Sequence, residues 1–283
     1  MVRGCLQHSK WYIRVVVWLG IMAMLTVPML GFWFVATHDP QGVRAAKWLQ
    51  FWQTLTVFIL PALLAVYLWS ERPREWLHLD RSITWGTALK AICMMVLAIP
   101  AINLMSWLNQ QLVLPASLSG LEAWMKQMED AAQVMTERFM QVDTVQGLLI
   151  NIGLMAVLPA IGEELSFRGV VQGLLTPRYK KAAIWLAACI FSFIHFQFYG
   201  FVPRMLMGAL FGYMLVWTGS LWVPIVMHMT NNAVAVLAYY VSNRYAIDGG
   251  WMEEFGAGST WYAGVLSLVV VITMACFVAR ERS

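Results

Sequence analysis

An all-α bundle of about eight transmembrane helices, with one amphipathic helix on its outer face, is the fold this sequence predicts. Three observations carry the prediction. Of 283 residues, 60% are hydrophobic and only 12% charged, and the mean hydropathy is +0.64, well outside the profile of a soluble domain. Apolar runs long enough to cross about 30 Å of hydrocarbon recur along the chain. Most of the 19 Lys and Arg gather between alternate runs, as the positive-inside rule asks of a multi-pass protein. Residues 1–283 read as a single integral membrane domain. A net charge of only +4 points to no nucleic-acid partner.

The runs fall at about 12–36, 49–69, 84–108, 145–175, 182–199, 204–218, 221–241 and 260–279. The first follows MVRGCLQHSKWYIR; it is too long for a signal-peptide core and shows no small-residue cleavage site, so it reads as a retained helix. Between the second and third, ERPREWLHLDRS is a cationic loop ending in a short interfacial stretch. After the third, SGLEAWMKQMEDAAQVMTERFMQV places Leu121, Trp124, Met125, Met128, Ala132, Met135 and Phe139 at helical spacing, the pattern of a helix lying on the membrane surface.

The fourth run carries Pro159 and the stretch GEELSFRG, and the cationic turn TPRYKK leads into the fifth. The sixth opens with Arg204 and continues with Gly208 and Gly212, a GxxxG face suited to packing. The seventh is entered through TGS, and the eighth ends in Arg280 and Arg282. An even number of spans places both termini on one side. Cation density puts that side in the cytoplasm, and the composition suits a bacterial inner membrane. The four cysteines are scattered and form no CxxC or disulfide framework.

Charges at bilayer depth cost at least about 2.5 kcal/mol each on insertion scales, so each demands a partner or a function. Glu164 and Arg168 stand four apart with the acid first, the order in which helical side chains meet. Glu163 is rotated about 100° from its neighbour and has no opposite charge within its own helix. Pro159, four residues earlier, is expected to bend the helix and open a cavity beside it. Counting about 14 residues from TPRYKK back to Glu163 and forward to His195 gives about 21 Å along each helix, so the two arrive at similar depth. His228 and Asn232 share a face of the seventh run. One carboxylate, two imidazoles and a carboxamide therefore converge, a set suited to activating water and holding an oxyanion. Neither HExxH nor a nucleophile elbow is present.

Three motifs now stand in order: EExxxR at Glu163, Glu164 and Arg168, FxxxH at Phe191 and His195, and HxxxN at His228 and Asn232. In this order and context the chain resembles the CPBP family of intramembrane proteases (CAAX proteases and bacteriocin-processing enzymes, also called Abi), which includes type II CAAX prenyl endopeptidases. The resemblance covers about residues 145–242, the expected catalytic core. It implies an eight-helix endopeptidase with its site in a cavity facing the cytoplasm. By that resemblance Glu163 is the base, His195 helps activate the water, and His228 and Asn232 stabilise the oxyanion. Glu164 and Arg168 form a supporting pair, and Phe191 fixes the imidazole by packing. The family has been described both with and without metal. Glu163, His195 and His228 have the donors to hold Zn²⁺, but a metal-free water mechanism is favoured. The expected partners are the lipid bilayer and a peptide or lipidated protein substrate. Two other readings compete: a non-catalytic scaffold of the same fold, and a proton or metal-ion transporter, which the missing internal repeat disfavours.

Overall fold

The computed structural model describes residues 2–37, 43–247 and 251–281, which are all-helical apart from turns. Nine helices of 12 residues or more form among them: α1 (Trp11–Thr37), α2 (43–69), α3 (Trp85–Gln110), α4 (Ser119–Met140), α5 (Val145–Tyr179), α6 (Ala182–Phe193), α7 (Phe201–Thr218), α8 (Trp222–Tyr245) and α9 (Trp261–Arg280). Local chemistry sets several boundaries. Thr84 and Thr144 accept the backbone N–H of Thr87 and Gly147 and so cap α3 and α5. Gly219 takes a left-handed conformation (φ 68°) that ends α7.

Six segments among the described residues are long and apolar enough to cross a membrane, and the protein is a multi-pass membrane protein. The eight spans expected from the sequence are not all confirmed, for two physical reasons. Helix α6 has only 12 residues, about 18 Å at 1.5 Å per residue. Helix α8 is long, 24 residues, but its His and Asn side chains dilute its apolar character. Outward faces are apolar, as lipid contact requires: Leu63 and Leu64 on α2, Trp185 and Ile190 on α6, and Leu266 and Val269 on α9 are exposed.

Two ends of the bundle can be told apart by contacts. At one end Leu221 N–H donates to the His78 carbonyl (3.0 Å) and Lys90 pairs with Glu281 (3.0 Å). This basic end also holds the turn at Lys180 and Lys181. At the other end Asn151 Nδ2 donates to the Phe139 carbonyl (2.9 Å), Asn243 Nδ2 to that of Met140 (2.7 Å), and Asn103 Nδ2 to that of Met252 (2.7 Å). Helix α4 lies across this second end. Its Leu121, Trp124 and Met135 stay exposed, Met125, Met128 and Ala132 are half-buried and Phe139 is buried, so the apolar stripe is divided between the protein and its surroundings.

Two apolar clusters fill the interior. One joins α1, α2, α5 and α6 through Val66, Trp69, Phe167, Val170 and Phe191. The other joins α3, α7, α8 and α9 through Met94, Met95, Phe211, Met227 and Val271. The polar cluster described next lies on the seam between them.

Candidate active site

Helix α5 carries the first part of the site. It is interrupted by two π turns, Ile152–Val157 and Leu165–Gln172. The first ends just before Pro159, which lacks the N–H that an α-helical turn would use. The Leu158 N–H instead reaches back five residues to the Gly153 carbonyl. Helix α2 repeats the device: Thr54–Ile59 form a π turn just before Pro61, and the Leu60 N–H bonds the Leu55 carbonyl. The disturbance expected at Pro159 thus takes the form of a π turn. Such turns release backbone carbonyls, and Ser166 Oγ donates to that of Phe58 (2.8 Å), tying α5 to α2.

The two adjacent carboxylates diverge. Glu164, with no solvent exposure, accepts at Oε1 from Arg168 Nη1 (2.8 Å) and from His228 Nδ1 (2.8 Å). Because a carboxylate oxygen accepts, Nδ1 of His228 carries the proton. Arg168 also donates through Nη2 to the Gly208 carbonyl (3.0 Å). Its guanidinium lies between two rings, 4.6 Å from that of Phe191 and 5.3 Å from that of Phe211. The Gly208 and Gly212 face makes this close approach possible. A Cβ on Gly208 would meet Arg168 Nη2 at 3.0 Å, and one on Gly212 would meet Gln172 Oε1 at 2.6 Å.

Glu163 turns the other way. Its Oε2 lies 3.9 Å from His195 Nε2 and 3.8 Å from His228 Nε2. His195 Nδ1 bonds the Phe191 carbonyl (2.7 Å), so it too carries its proton on Nδ1. Both imidazoles therefore present the acceptor lone pair of Nε2 to Glu163 when neutral. The rings are fixed from the sides. Phe191 meets His195 edge-on at 4.9 Å, and Phe211 stacks on His228 at 5.4 Å and 29°. His195 follows α6 directly, and the chain turns at Phe196 with φ 52°, a left-handed conformation uncommon for a bulky residue.

Glu163, Glu164, Arg168, Phe191, His195 and His228 are thus brought together. Asn232 is the exception: it lies one turn beyond His228 on α8, and its Oδ1 accepts from Asn231 Nδ2 (3.2 Å). Phe211 also belongs to the cluster and is not singled out in the sequence, where it is one apolar residue among many; Gly208, expected only to pack, contributes its carbonyl as well. Arg204 lies nearby; it donates to the Gln197 carbonyl (3.3 Å) and to Gln197 Oε1 (2.7 Å), within electrostatic reach of Glu163, His195 and Glu129. Glu129 comes from α4 and accepts the Tyr199 N–H (3.2 Å). Burial pushes its carboxyl above the ordinary range, although the Tyr199 bond and Arg204 pull the other way.

Two imidazoles and a carboxylate, each imidazole braced at Nδ1, are the donor types of a zinc site. Their spacing does not match. Tetrahedral ligands at about 2.0–2.1 Å from zinc stand about 3.4 Å apart, whereas these separations are 3.8 and 3.9 Å. Among the described residues no group of three or more His, Cys, Asp or Glu side chains is arranged to hold a metal ion.

Residues 145–234 match the family described as type II CAAX prenyl endopeptidase Rce1-like. An uncharacterized protein of Bacillus subtilis, YpbD, is 33% identical over 84 residues, 28% of this chain and 41% of that protein. The chain therefore covers less than half the length of this relative. No solved structure matches. All three motifs fall inside the matched segment, so residues 145–234 are similar to the Rce1-like type II CAAX prenyl endopeptidases, in keeping with a protease of the CPBP family.

Proposed function

We propose that the protein is an intramembrane endopeptidase that hydrolyses a peptide bond of a membrane-associated or lipidated peptide, using water activated by Glu163. The observation that carries this reading is the facing of Glu163 Oε2 by two Nε2 atoms at 3.9 and 3.8 Å. These distances exceed a direct hydrogen bond, and they set the carboxylate oxygen against two imidazole nitrogens, the groups that would orient an attacking water between them.

In the proposed mechanism that water gives one hydrogen bond to Glu163 and one to His195 Nε2. Its oxygen attacks the peptide carbonyl carbon while Glu163 takes a proton. The oxyanion that forms needs donors. His228 is suited to this when Nε2 is protonated, because the Glu164 carboxylate at Nδ1 stabilises the imidazolium, as a buried aspartate does in a serine-protease triad. Asn232, whose Oδ1 is engaged by Asn231, keeps Nδ2 as a second donor. When the C–N bond breaks, Glu163 returns its proton to the leaving nitrogen, and the products are an amine and a carboxylic acid that keeps the second proton of the water. Arg168 and the flanking Phe191 and Phe211 rings are positioning residues. No step passes through a metal ion.

The basic end of the bundle is proposed to face the cytoplasm of a bacterial inner membrane, with both termini on that side. Peptide cleavage by the purified protein, compared with Glu163→Gln on lipidated and unlipidated peptides, tests the function. Loss of at least about a hundredfold in rate is expected, with unfolding unchanged; equal activity removes Glu163 from the chemistry. Cleavage that a chelator abolishes overturns the metal-free step.

A further inference from the structure

The two histidines that face Glu163 are held in different ways. His228 lies within α8, its side chain 4% exposed, with Nδ1 on Glu164 and Phe211 stacked on its ring. His195 lies past the end of α6, and its side chain is 27% exposed. The Phe191 carbonyl braces its Nδ1 (2.7 Å), but its backbone belongs to the turn into α7, where Phe196 takes φ 52°. A bulky residue in that region costs about 1–3 kcal/mol and persists only where the surrounding structure over-determines it.

Beyond Phe196, residues 197–202 are gripped by side chains of α3, α4, α6 and α7. Ser192 Oγ of α6 donates to the Phe201 carbonyl (2.7 Å). Arg204 of α7 donates to the carbonyl and the side chain of Gln197, and Glu129 of α4 accepts the Tyr199 N–H. Asn109, the next-to-last residue of α3, reaches in from far along the chain. Its Nδ2 donates to the Phe198 carbonyl (3.0 Å), and its Oδ1 accepts the Val202 N–H (3.3 Å). Both bonds go to main chain, so one amide spans the turn from Phe198 to Val202. The Val202 N–H is among the donors that the first turn of α7 leaves without a helical partner, so the same side chain caps α7 and fixes the turn. Asn109 is 5% exposed, and a carboxamide is buried at a cost unless it is bonded in this way.

We propose that Asn109 is a positioning residue for the peptidase reaction: it sets the start of α7 and the turn before it, and through them the aim of His195 Nε2 toward Glu163. Asn109 lies outside residues 145–234, the segment that matches the family. The inference rests on the peptidase reading for its kinetic consequence, but the placement of His195 can be measured without it.

Asn109→Leu keeps the bulk of the side chain and removes both bonds. In micelles, with the five His isotope-labelled, NMR reads the ring signals of His195 and His228, assigned by their loss in His195→Gln and His228→Gln. The His195 signals are expected to shift or broaden in Asn109→Leu while those of His228 stay. Peptide cleavage reads the consequence: kcat is expected to fall about tenfold with KM held. That is less than the hundredfold that about 1 Å of misplacement costs, because Ser192, Arg204 and Glu129 still hold the turn. In the His195→Gln background the same change is expected to lower the residual rate by less than about twofold. Where that background leaves no rate to read, the NMR result and the split between kcat and KM decide. Where Asn109→Leu does not fold, Asn109→Ala, which leaves room for water beside both backbone groups, takes its place. Unmoved His195 signals, an equal movement of His228, or a similar fall in rate without His195 overturns the proposal. Moved His195 signals in a protein whose parent cleaves no peptide overturn the peptidase reading and leave the placement of His195 standing.

Discussion

Replacing Arg168 by Met keeps the length of the side chain and removes its charge from a site where guanidinium and carboxylate are 1% and 0% exposed. The change deletes the 2.8 Å pair with Glu164 and the 3.0 Å bond to the Gly208 carbonyl. Removing one partner of a buried pair costs about 3–5 kcal/mol, because the other charge stays buried. Here His228 Nδ1 still donates to Glu164, so the lower end, about 3 kcal/mol, is expected. Adding Glu164→Gln removes the stranded charge while retaining an acceptor for His228. The double variant should recover about 2 kcal/mol of that loss, a coupling well above the error of a mutant cycle. Denaturant titration in micelles, followed by tryptophan fluorescence, measures both. A single variant within 1 kcal/mol of the parent, or a double variant as unstable as the sum of the two single changes, refutes the argument.

Three further outcomes are expected. Gly212→Ala should cost about 1–3 kcal/mol in the same titration, since its Cβ would lie 2.6 Å from Gln172 Oε1 and 2.7 Å from Ile184 Cγ2; no cost would mean that α5, α6 and α7 do not approach so closely. Phe211→Leu, which removes the ring stacked on His228 and on Arg168, should lower kcat about tenfold with KM held, and an unchanged kcat would free Phe211 of any positioning role. Glu129 has a carboxyl pushed above its ordinary range by burial, so its stabilising contribution is full below the unfolded value near 4.5 and is lost as pH rises through the folded value. Glu129→Gln should therefore match the parent at pH 4 and exceed its Tm near pH 7; a Tm difference independent of pH would contradict this.

Much of the site was legible because its geometry is local to single helices. The four-residue spacing of Glu164 and Arg168 anticipated their ion pair, and depth counting from TPRYKK brought Glu163 and His195 together, now 3.9 Å apart. What stayed hidden depends on how helices face one another. His228 contacts both carboxylates, with Nδ1 on Glu164 and Nε2 toward Glu163, and no periodicity within α8 specifies that. Phe211 is invisible for the same reason. The count of eight spans is confirmed only as far as six, because function interferes with hydropathy: the polar residues that build the site make α8 a poor membrane helix by composition, and α6 stops short just before the turn that holds His195.

The brevity of α6 has a consequence for the surrounding lipid. A helix of about 18 Å set in hydrocarbon about 30 Å thick creates a hydrophobic mismatch along one flank of the bundle, next to exposed Trp185 and Ile190. The bilayer answers a short segment by thinning, at a fraction of a kcal/mol per ångström. Headgroups are thereby drawn toward His195 on that flank, and the depth a polar substrate must cross there becomes a property of the lipid as well as of the protein. Acyl-chain length is thus built into the working environment of the site.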